Sequence, residues 1–252
     1  MPADKIVTTN FPQAPDKPEL IASWSHLVGF LLIMAGMAAL GFRAQHAGAG
    51  SEGAATAGQL ASHNKAIYIY LVAGLMDWAL LYYCWAGVHH RGGTLATLSG
   101  GRWTSWSDLA KDVAIVVPFF ALWEGTAYAV NWVLGPRSAK TVDSLLPRSL
   151  LEILLWIAVS ITAGFCEELA FRGYLQQQLH AVSGNIEVAV IAQALVFGLA
   201  HGYQGWKAVI VISVLGVLYG VLAAWRRNLR ANIIAHAASD VWEGWLKFVI
   251  WR

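Results

Sequence analysis

The stretch AVIVISVLGVLYGVLAAW occupies residues 208–225 and contains no Asp, Glu, Lys or Arg. About 18 or more consecutive apolar residues are enough for a helix to cross the hydrocarbon core of a bilayer. Two further stretches lack the same four residue types, at 20–42 and at 188–206. These segments predict a protein that spans a membrane.

The composition of the whole chain supports this prediction. Of the 252 residues, 57% are hydrophobic and only 13% are charged, whereas about 25% of the residues in a typical soluble domain are charged. The formal net charge of +2 is too small for a basic surface that neutralises phosphates, so we expect no nucleic-acid partner. Only two cysteines, Cys84 and Cys166, are present, which excludes the disulfide framework of a small secreted domain.

Seven apolar segments can be drawn along the chain. Lipid offers no hydrogen-bond partners, so spans of this length must be helices, and we predict an all-α fold: a polytopic transmembrane helical bundle of about seven or eight helices. Residues 1–19 are predicted to form a polar N-terminal tail and residues 20–252 a single helical membrane domain. The segments are 20–42, 66–88, 113–134, 149–171, 186–201, 208–225 and 231–251.

The orientation of this bundle is not decided by the basic residues. Lys and Arg divide almost equally between the two sides, so the positive-inside rule favours neither arrangement. The tightest cluster, Arg226, Arg227 and Arg230, slightly favours an N-terminus in the cytoplasm. We then expect the functional site to open toward the cytoplasmic face.

Several ionisable residues fall at membrane depth, where a charge costs at least about 2.5–3.5 kcal/mol and therefore requires a partner or a purpose. Asp77 and Glu124 stand alone in their segments, and we interpret them as helix-packing contacts. Glu152 follows Arg148 by four positions, a spacing that predicts an interfacial ion pair. Six other residues fall into three short clusters: Glu167, Glu168 and Arg172, then His201, then His236 and Asp240.

The spacing within each cluster suggests how the side chains are arranged. Glu168 and Arg172 are four positions apart and can pair along one helix face. Glu167 points about 100° away from Glu168 on an α-helix, so the two carboxylates are expected to have different roles. His236 and Asp240 are again four apart and can face one cavity. Carboxylates and imidazoles on three helices are the parts of a hydrolytic site, in which they take a proton from water, ligate a metal or stabilise an oxyanion.

The three clusters resemble the motifs of a known family. EELAFR at 167–172, FGLAH at 197–201 and HAASD at 236–240 resemble the EExxxR, FxxxH and HxxxN/D motifs of the CPBP (Abi) family. These membrane proteases include the type II CAAX prenyl endopeptidases and many bacterial relatives. The motif-bearing region covers about 151–240, and Asp240 stands where the prenyl endopeptidases more often have Asn.

The resemblance implies an intramembrane endopeptidase with a Glu/His site, in which Glu167 and His201 activate the attacking water. His236 and Asp240 would contact the scissile carbonyl or its oxyanion. Glu168 would support the site together with Arg172, which would hold its shape. The implied partners are membrane lipids and a peptide or lipidated protein substrate, such as a CAAX-type prenylated tail. The implied location is a bacterial inner membrane.

The residues themselves leave the role of a metal open. His201, His236 and Glu167 could ligate Zn²⁺, yet they lie on separate helices without the HExxH arrangement of a strong zinc motif. Two other function classes also remain: a non-catalytic membrane scaffold or immunity protein of the same fold, and a proton-coupled transporter. A transporter is expected to show repeated broken helices in both halves, and the sequence shows none.

Overall fold

A computed structural model describes residues 18–48, 58–135 and 146–250 of the chain. The predicted tail lies largely outside these residues. The α-helices, in chain order, are α1 (Trp24–Gly48), α2 (Gly58–His89), α3 (Leu95–Ser99), α4 (Trp106–Leu134), α5 (Leu150–Glu167), α6 (Gln176–Ser183), α7 (Ile186–Ala200), α8 (Trp206–Arg226) and α9 (Arg230–Ile250). A π-helical segment (Glu168–Leu175) joins α5 to α6, and a short 3₁₀ turn (Gly202–Gln204) joins α7 to α8.

Within the described residues, five helices are long and apolar enough to cross a membrane: Trp24–Ala44, Ala66–His89, Trp106–Leu134, Leu150–Ser183 and Trp206–Arg226. This confirms the predicted all-α membrane bundle. α7 has only 15 residues, which makes it about 22 Å long. α9 was also predicted as a span, but it is not among the five. The charged residues of α9 contribute to this difference, because they make the helix less apolar.

Polar residues set the helix boundaries, as capping rules require. The Ser105 side chain accepts a hydrogen bond from the backbone N–H of Asp108 at the start of α4. The Asn185 side chain accepts from two backbone N–H groups at the start of α7, at 2.7 and 3.1 Å. Each cap satisfies amide groups that the first turn of a helix leaves without partners.

Glu152 contacts Arg148, the residue with which its spacing predicts an ion pair, through the backbone of that residue. Its carboxylate accepts a hydrogen bond at 2.6 Å from the backbone N–H of Arg148, and it is buried while Arg148 is exposed. Ser149 also accepts from the backbone N–H of Glu152. The residue therefore acts as part of a helix cap, because the exposed start of α5 has amide groups to satisfy.

Successive long helices alternate in direction and approach one another closely at glycines. A Cβ atom on Gly164 of α5 would lie 2.6 Å from the backbone nitrogen of Ala237 in α9. A Cβ atom on Gly216 of α8 would lie 3.1 Å from the Cβ atom of Ala194 in α7. Small residues allow helix backbones to pack this closely where no hydrophobic force drives them together. These contacts pack α5 against α9 and α7 against α8.

One end of the bundle is tied together by a buried acid. Asp112, near the start of α4, is fully buried and pairs with Arg226 at 2.8 Å and with Arg230 at 3.0 Å. Trp103 donates a hydrogen bond to the same carboxylate at 3.0 Å. Two arginines of the cluster used to judge orientation therefore also link the end of α8 and the start of α9 to α4.

Two hydrophobic clusters make up the core. The first lies around α1, α2 and the α5–π region and includes Phe30 and Phe171. The second lies around α4, α8 and α9 and includes Trp123 and Tyr219. The candidate site lies where these clusters meet.

Candidate active site

The first motif lies where α5 becomes π-helical. All eight residues of the π-helical segment are buried, and the N–H of Gln176 donates to the carbonyl of Phe171, five residues earlier. A π-helical turn contains more residues than an α-helical turn, so it rotates less per residue, and such turns are frequent at functional sites. Glu167 ends the α-helical part and Glu168 begins the π-helical part.

Glu168 is the buried centre of a polar network. Its Oε1 atom accepts from Arg172 at 2.8 Å and from Nδ1 of His236 at 2.9 Å, and its Oε2 atom accepts from Asn232 at 3.1 Å. The side chains of Glu168 and Arg172 are both fully buried, so the pair expected from the i,i+4 spacing is present. A buried charge pair is tolerated when further hydrogen bonds satisfy its remaining groups, and here His236 and Asn232 complete the carboxylate, while Nε of Arg172 has no hydrogen-bond partner among the described residues.

Two aromatic rings enclose the Arg172 guanidinium group. Its central carbon lies 4.5 Å from the ring centroid of Phe197 and 5.2 Å from that of Tyr219. Its Nη2 atom also donates to the carbonyl of Gly216 at 3.3 Å. These rings belong to the two separate hydrophobic clusters, so Arg172 links the two halves of the core.

His236 stands between the buried pair and the more accessible carboxylates. An ionised carboxylate can only accept hydrogen bonds, so Nδ1 of His236 donates to Glu168. The other ring nitrogen, Nε2, then lies 3.7 Å from Glu167 and 3.7 Å from Asp240. Side-chain exposure rises from 0% at Glu168 to 17% at Glu167 and 37% at Asp240. The polar groups therefore lead from the core toward an opening.

Glu167 and Glu168 approach different nitrogens of the same imidazole, Glu168 at Nδ1 and Glu167 at Nε2 of His236. The backbone at both glutamates has α-helical dihedral angles, so their side chains point about 100° apart, as the spacing predicts. The difference in their roles stays a prediction.

His201 lies at the end of α7, and its orientation is fixed by its own helix. Its Nδ1 atom is 2.8 Å from the carbonyl oxygen of Phe197, and because a carbonyl only accepts, Nδ1 carries the hydrogen. In the neutral ring Nε2 is then an acceptor. Phe197 packs edge-on against both histidines, 4.8 Å from the His201 ring and 6.1 Å from the His236 ring. The two imidazoles thus share one aromatic neighbour.

Tyr203, in the 3₁₀ turn, lies beside His201, with ring centroids 6.0 Å apart. Desolvation raises the pKa of Tyr203 to about 12, so its hydroxyl stays protonated at neutral pH. Its hydroxyl also accepts a hydrogen bond from Gln204 at 3.0 Å. The sequence motifs did not single out Tyr203.

Two other polar residues of the network were also missed from the sequence. Asn232 donates to Glu168 and to the Tyr219 carbonyl, the latter at 2.8 Å. Ser239 donates to the carbonyl of His236 at 2.8 Å and lies 3.3 Å from the Tyr219 hydroxyl. Asn232 is four positions before His236, and this i,i+4 spacing is a signal that could have placed it on the same helix face.

The residues considered as zinc ligands do not form a metal-holding group here. Among the residues that the structure describes, no three His, Cys, Asp or Glu side chains are grouped to hold a metal ion. Nδ1 of His201 contacts the Phe197 carbonyl and Nδ1 of His236 donates to Glu168, so Nε2 is the nitrogen of each ring that a metal could bind. Zinc therefore stays a prediction from the sequence, and no step below depends on it.

Residues 149–242 match the protein family described as Type II CAAX prenyl endopeptidase Rce1-like. This segment is therefore similar to the CAAX protease family. The matched segment covers over a third of the chain and contains all six residues singled out from the motifs. No curated protein and no solved structure matches the chain. This similarity and the five candidate spans among the described residues support an integral membrane protein.

Proposed function

We propose that this protein is a membrane-embedded endopeptidase in which Glu167 takes a proton from the attacking water. The observation that carries the proposal is the position of His236, which is held by the buried Glu168–Arg172 pair and faces Glu167 and Asp240. A buried carboxylate that orients an imidazole toward the reacting groups is a recurring device of hydrolytic enzymes.

The proposed reaction begins at Glu167, whose carboxylate removes one proton as the water oxygen forms a bond to the scissile carbonyl carbon. The Nε2 atom of His201, an acceptor when Nδ1 donates to Phe197, would orient the same water. His236, when protonated on Nε2, would donate to the developing oxyanion, with Asp240 next to it. The proton on Glu167 then passes to the leaving amine nitrogen as the C–N bond breaks, so protons balance over the cycle.

An apolar groove next to the site suits a substrate with an apolar segment or lipid chain. It has a volume of about 510 Å³ and includes Phe165 and Ala237, the residues next to Cys166 and His236 in the chain. Its lining is Trp78, Ile161, Thr162, Phe165, Ile233, Ile234 and Ala237. We propose a peptide or lipidated protein as the substrate, with a CAAX-type tail as one case to test, and a bacterial cell membrane as the location.

The test is cleavage of quenched fluorescent peptides by the full-length protein in liposomes, with products identified by mass spectrometry. In heavy-oxygen water, hydrolysis labels the new C-terminal carboxylate. Glu167→Gln keeps the size of the side chain but cannot accept the proton, so we expect kcat/KM to fall by roughly 10²-fold or more. Glu124→Gln is the matched control, because it makes the same change in a membrane-depth carboxylate of α4. A non-catalytic scaffold would cleave nothing, and a Glu167→Gln protein with near wild-type activity would contradict the assigned role.

A further inference from the structure

One end of the bundle carries a group of arginine side chains that the proposed reaction does not use. Arg226 ends α8, Arg227 follows it, and Arg230 begins α9. Arg102 joins them from the loop before α4, where its carbonyl oxygen accepts a hydrogen bond at 3.0 Å from Nη1 of Arg230. These four residues form the arginine patch.

Backbone contacts hold the loop before α4 against the turn between α8 and α9. The N–H of Leu229 donates to the carbonyl of Ser99 at 2.9 Å. A Cβ atom built on Gly100 would lie 2.5 Å from the carbonyl oxygen of Arg227, so the loop can come this close because the residue is glycine. The two segments that carry the arginines are therefore fixed beside each other.

The carboxylates in this part of the fold do not neutralise the patch. Arg226 and Arg230 share one fully buried carboxylate, that of Asp112, at 2.8 and 3.0 Å. Asp108 also interacts electrostatically with Arg230, but the ammonium group of Lys111 lies 4.0 Å from it and offsets its charge. Two guanidinium groups on one carboxylate leave one positive charge unmatched.

The other two arginines add to this excess. Arg102 and Arg227 are exposed, and neither has an ion-pair partner in the part of the chain that the structure describes. Arg227 has φ of +53°, in the left-handed region that favours glycine at the end of a helix. The turn itself therefore does not favour arginine at this position, which points to a role for the side chain outside the turn.

The patch lies at the level of the membrane where lipid headgroups are found. The candidate span Trp106–Leu134 begins here, and the candidate span Trp206–Arg226 ends here. Trp106 and Trp225 are 86% and 68% exposed, and tryptophans at span ends anchor in the membrane interface. The central carbon of the Arg226 guanidinium lies 5.8 Å from the ring centroid of Trp225. The patch therefore offers positive charge beside rings that suit lipid chains.

We propose that the arginine patch binds the headgroup of an anionic phospholipid, with phosphatidylglycerol as the lipid to test. Guanidinium groups match the oxygens of a phosphate with parallel N–H donors, and basic clusters next to membrane helices attract anionic lipids. The lipid site is separate from the proposed peptidase site. α8 begins five residues after His201 and runs about 30 Å before it reaches Arg226.

The test is native mass spectrometry of the full-length protein in neutral detergent, with phosphatidylglycerol and phosphatidylcholine of the same acyl chains in competition. Only phosphatidylglycerol carries a net negative charge, so we expect it to bind more tightly. Arg102→Gln and Arg227→Gly should each weaken its binding about fivefold, which corresponds to about 1 kcal/mol for each arginine. Binding of phosphatidylcholine should not change.

Two controls separate lipid binding from effects on the fold. Glycine adopts the φ of Arg227 without strain, so Arg227→Gly should melt close to wild type in neutral detergent. Arg43→Gln removes an exposed arginine near the end of α1, where Gly41 packs against Tyr203, and should bind phosphatidylglycerol like wild type.

Equal affinity of the wild-type protein for the two lipids overturns the inference. So does unchanged phosphatidylglycerol binding by Arg102→Gln and Arg227→Gly, or an equal loss in Arg43→Gln. Displacement of phosphatidylglycerol by millimolar inorganic phosphate would identify a site for free anions and overturn the assignment to lipid. None of these results affects the peptidase proposal, which is tested by cleavage.

Discussion

Removal of the Glu168 side chain should destabilise the protein strongly. Glu168→Ala deletes the acceptor of Arg172, His236 and Asn232 and leaves a fully buried guanidinium group without its carboxylate. Breaking a buried ion pair in this way costs about 3–5 kcal/mol. The carbonyl of Gly216 and the rings of Phe197 and Tyr219 remain near Arg172, but none of them carries a full negative charge.

The expected loss can be measured as a melting temperature in detergent. At roughly 2–4 °C per kcal/mol for a domain of this size, Glu168→Ala should melt roughly 10 °C below wild type. Glu187→Ala is the control, because Glu187 is exposed at the start of α7 and surface changes stay within about 0.5 kcal/mol. The double variant Glu168→Ala/Arg172→Met removes both charges and should recover much of the loss, since replacing a whole buried pair is often neutral.

Activity measurements separate the role of Glu168 in stability from its role in orienting His236. The double variant should regain stability but not activity, because Nδ1 of His236 still lacks the acceptor that orients the ring. A Glu168→Ala protein that melts within about 2 °C of wild type would refute the buried network as a source of stability. A double variant whose loss equals the sum of the two single losses would refute the pairing of Glu168 with Arg172.

Two further predictions concern helix packing and the third motif. Gly164→Ala should destabilise the protein and reduce activity. The new Cβ atom would lie 2.6 Å from the backbone nitrogen of Ala237 and would push α5 away from α9. Gly125→Ala is the control and should melt like wild type, because a Cβ atom at this position has no neighbour within 4 Å. Asp240→Asn should be tolerated, or should raise the cleavage rate of a neutral peptide, because an amide can donate to an oxyanion and a carboxylate cannot. Three results together would make Asp240 a metal ligand instead: chelation abolishes cleavage, added zinc restores it, and Asp240→Asn is inactive.

The helices of this fold could be predicted from the sequence, because a long apolar segment in lipid must satisfy its own backbone hydrogen bonds and therefore forms a helix. The drawn segment 208–225 and the observed α8, Trp206–Arg226, differ by no more than two residues at either end. The π-helical segment could not be predicted, because EELAFR carries no local signal that distinguishes a π turn from an α turn.

Candidate site residues were found where a motif carries them, and missed where only packing brings them in. Asn and Tyr are ordinary residues in membrane helices, so the sequence does not single out Asn232 or Tyr219. Their contacts become visible only when α8 and α9 are placed beside Glu168. Asp77 stands alone in its segment of the sequence, which cannot show that α2 packs beside α5 in the same direction, with Tyr70 next to Trp156 and Trp78 next to Phe165. Long-range register of this kind is a property of the folded bundle.

The short length of α7 has a consequence for the lipid around the protein. At about 22 Å it falls about 8 Å short of a typical hydrocarbon core of about 30 Å. A bilayer adapts to a short helix by thinning, at a modest cost for each ångström of mismatch. We therefore expect a dimple in the bilayer where α7 ends at His201, and such a dimple brings bulk water down to the imidazole that would orient it. Membrane thickness then controls the access of water, which is the second reactant of hydrolysis. Long-chain lipids keep water away from a site that is otherwise intact.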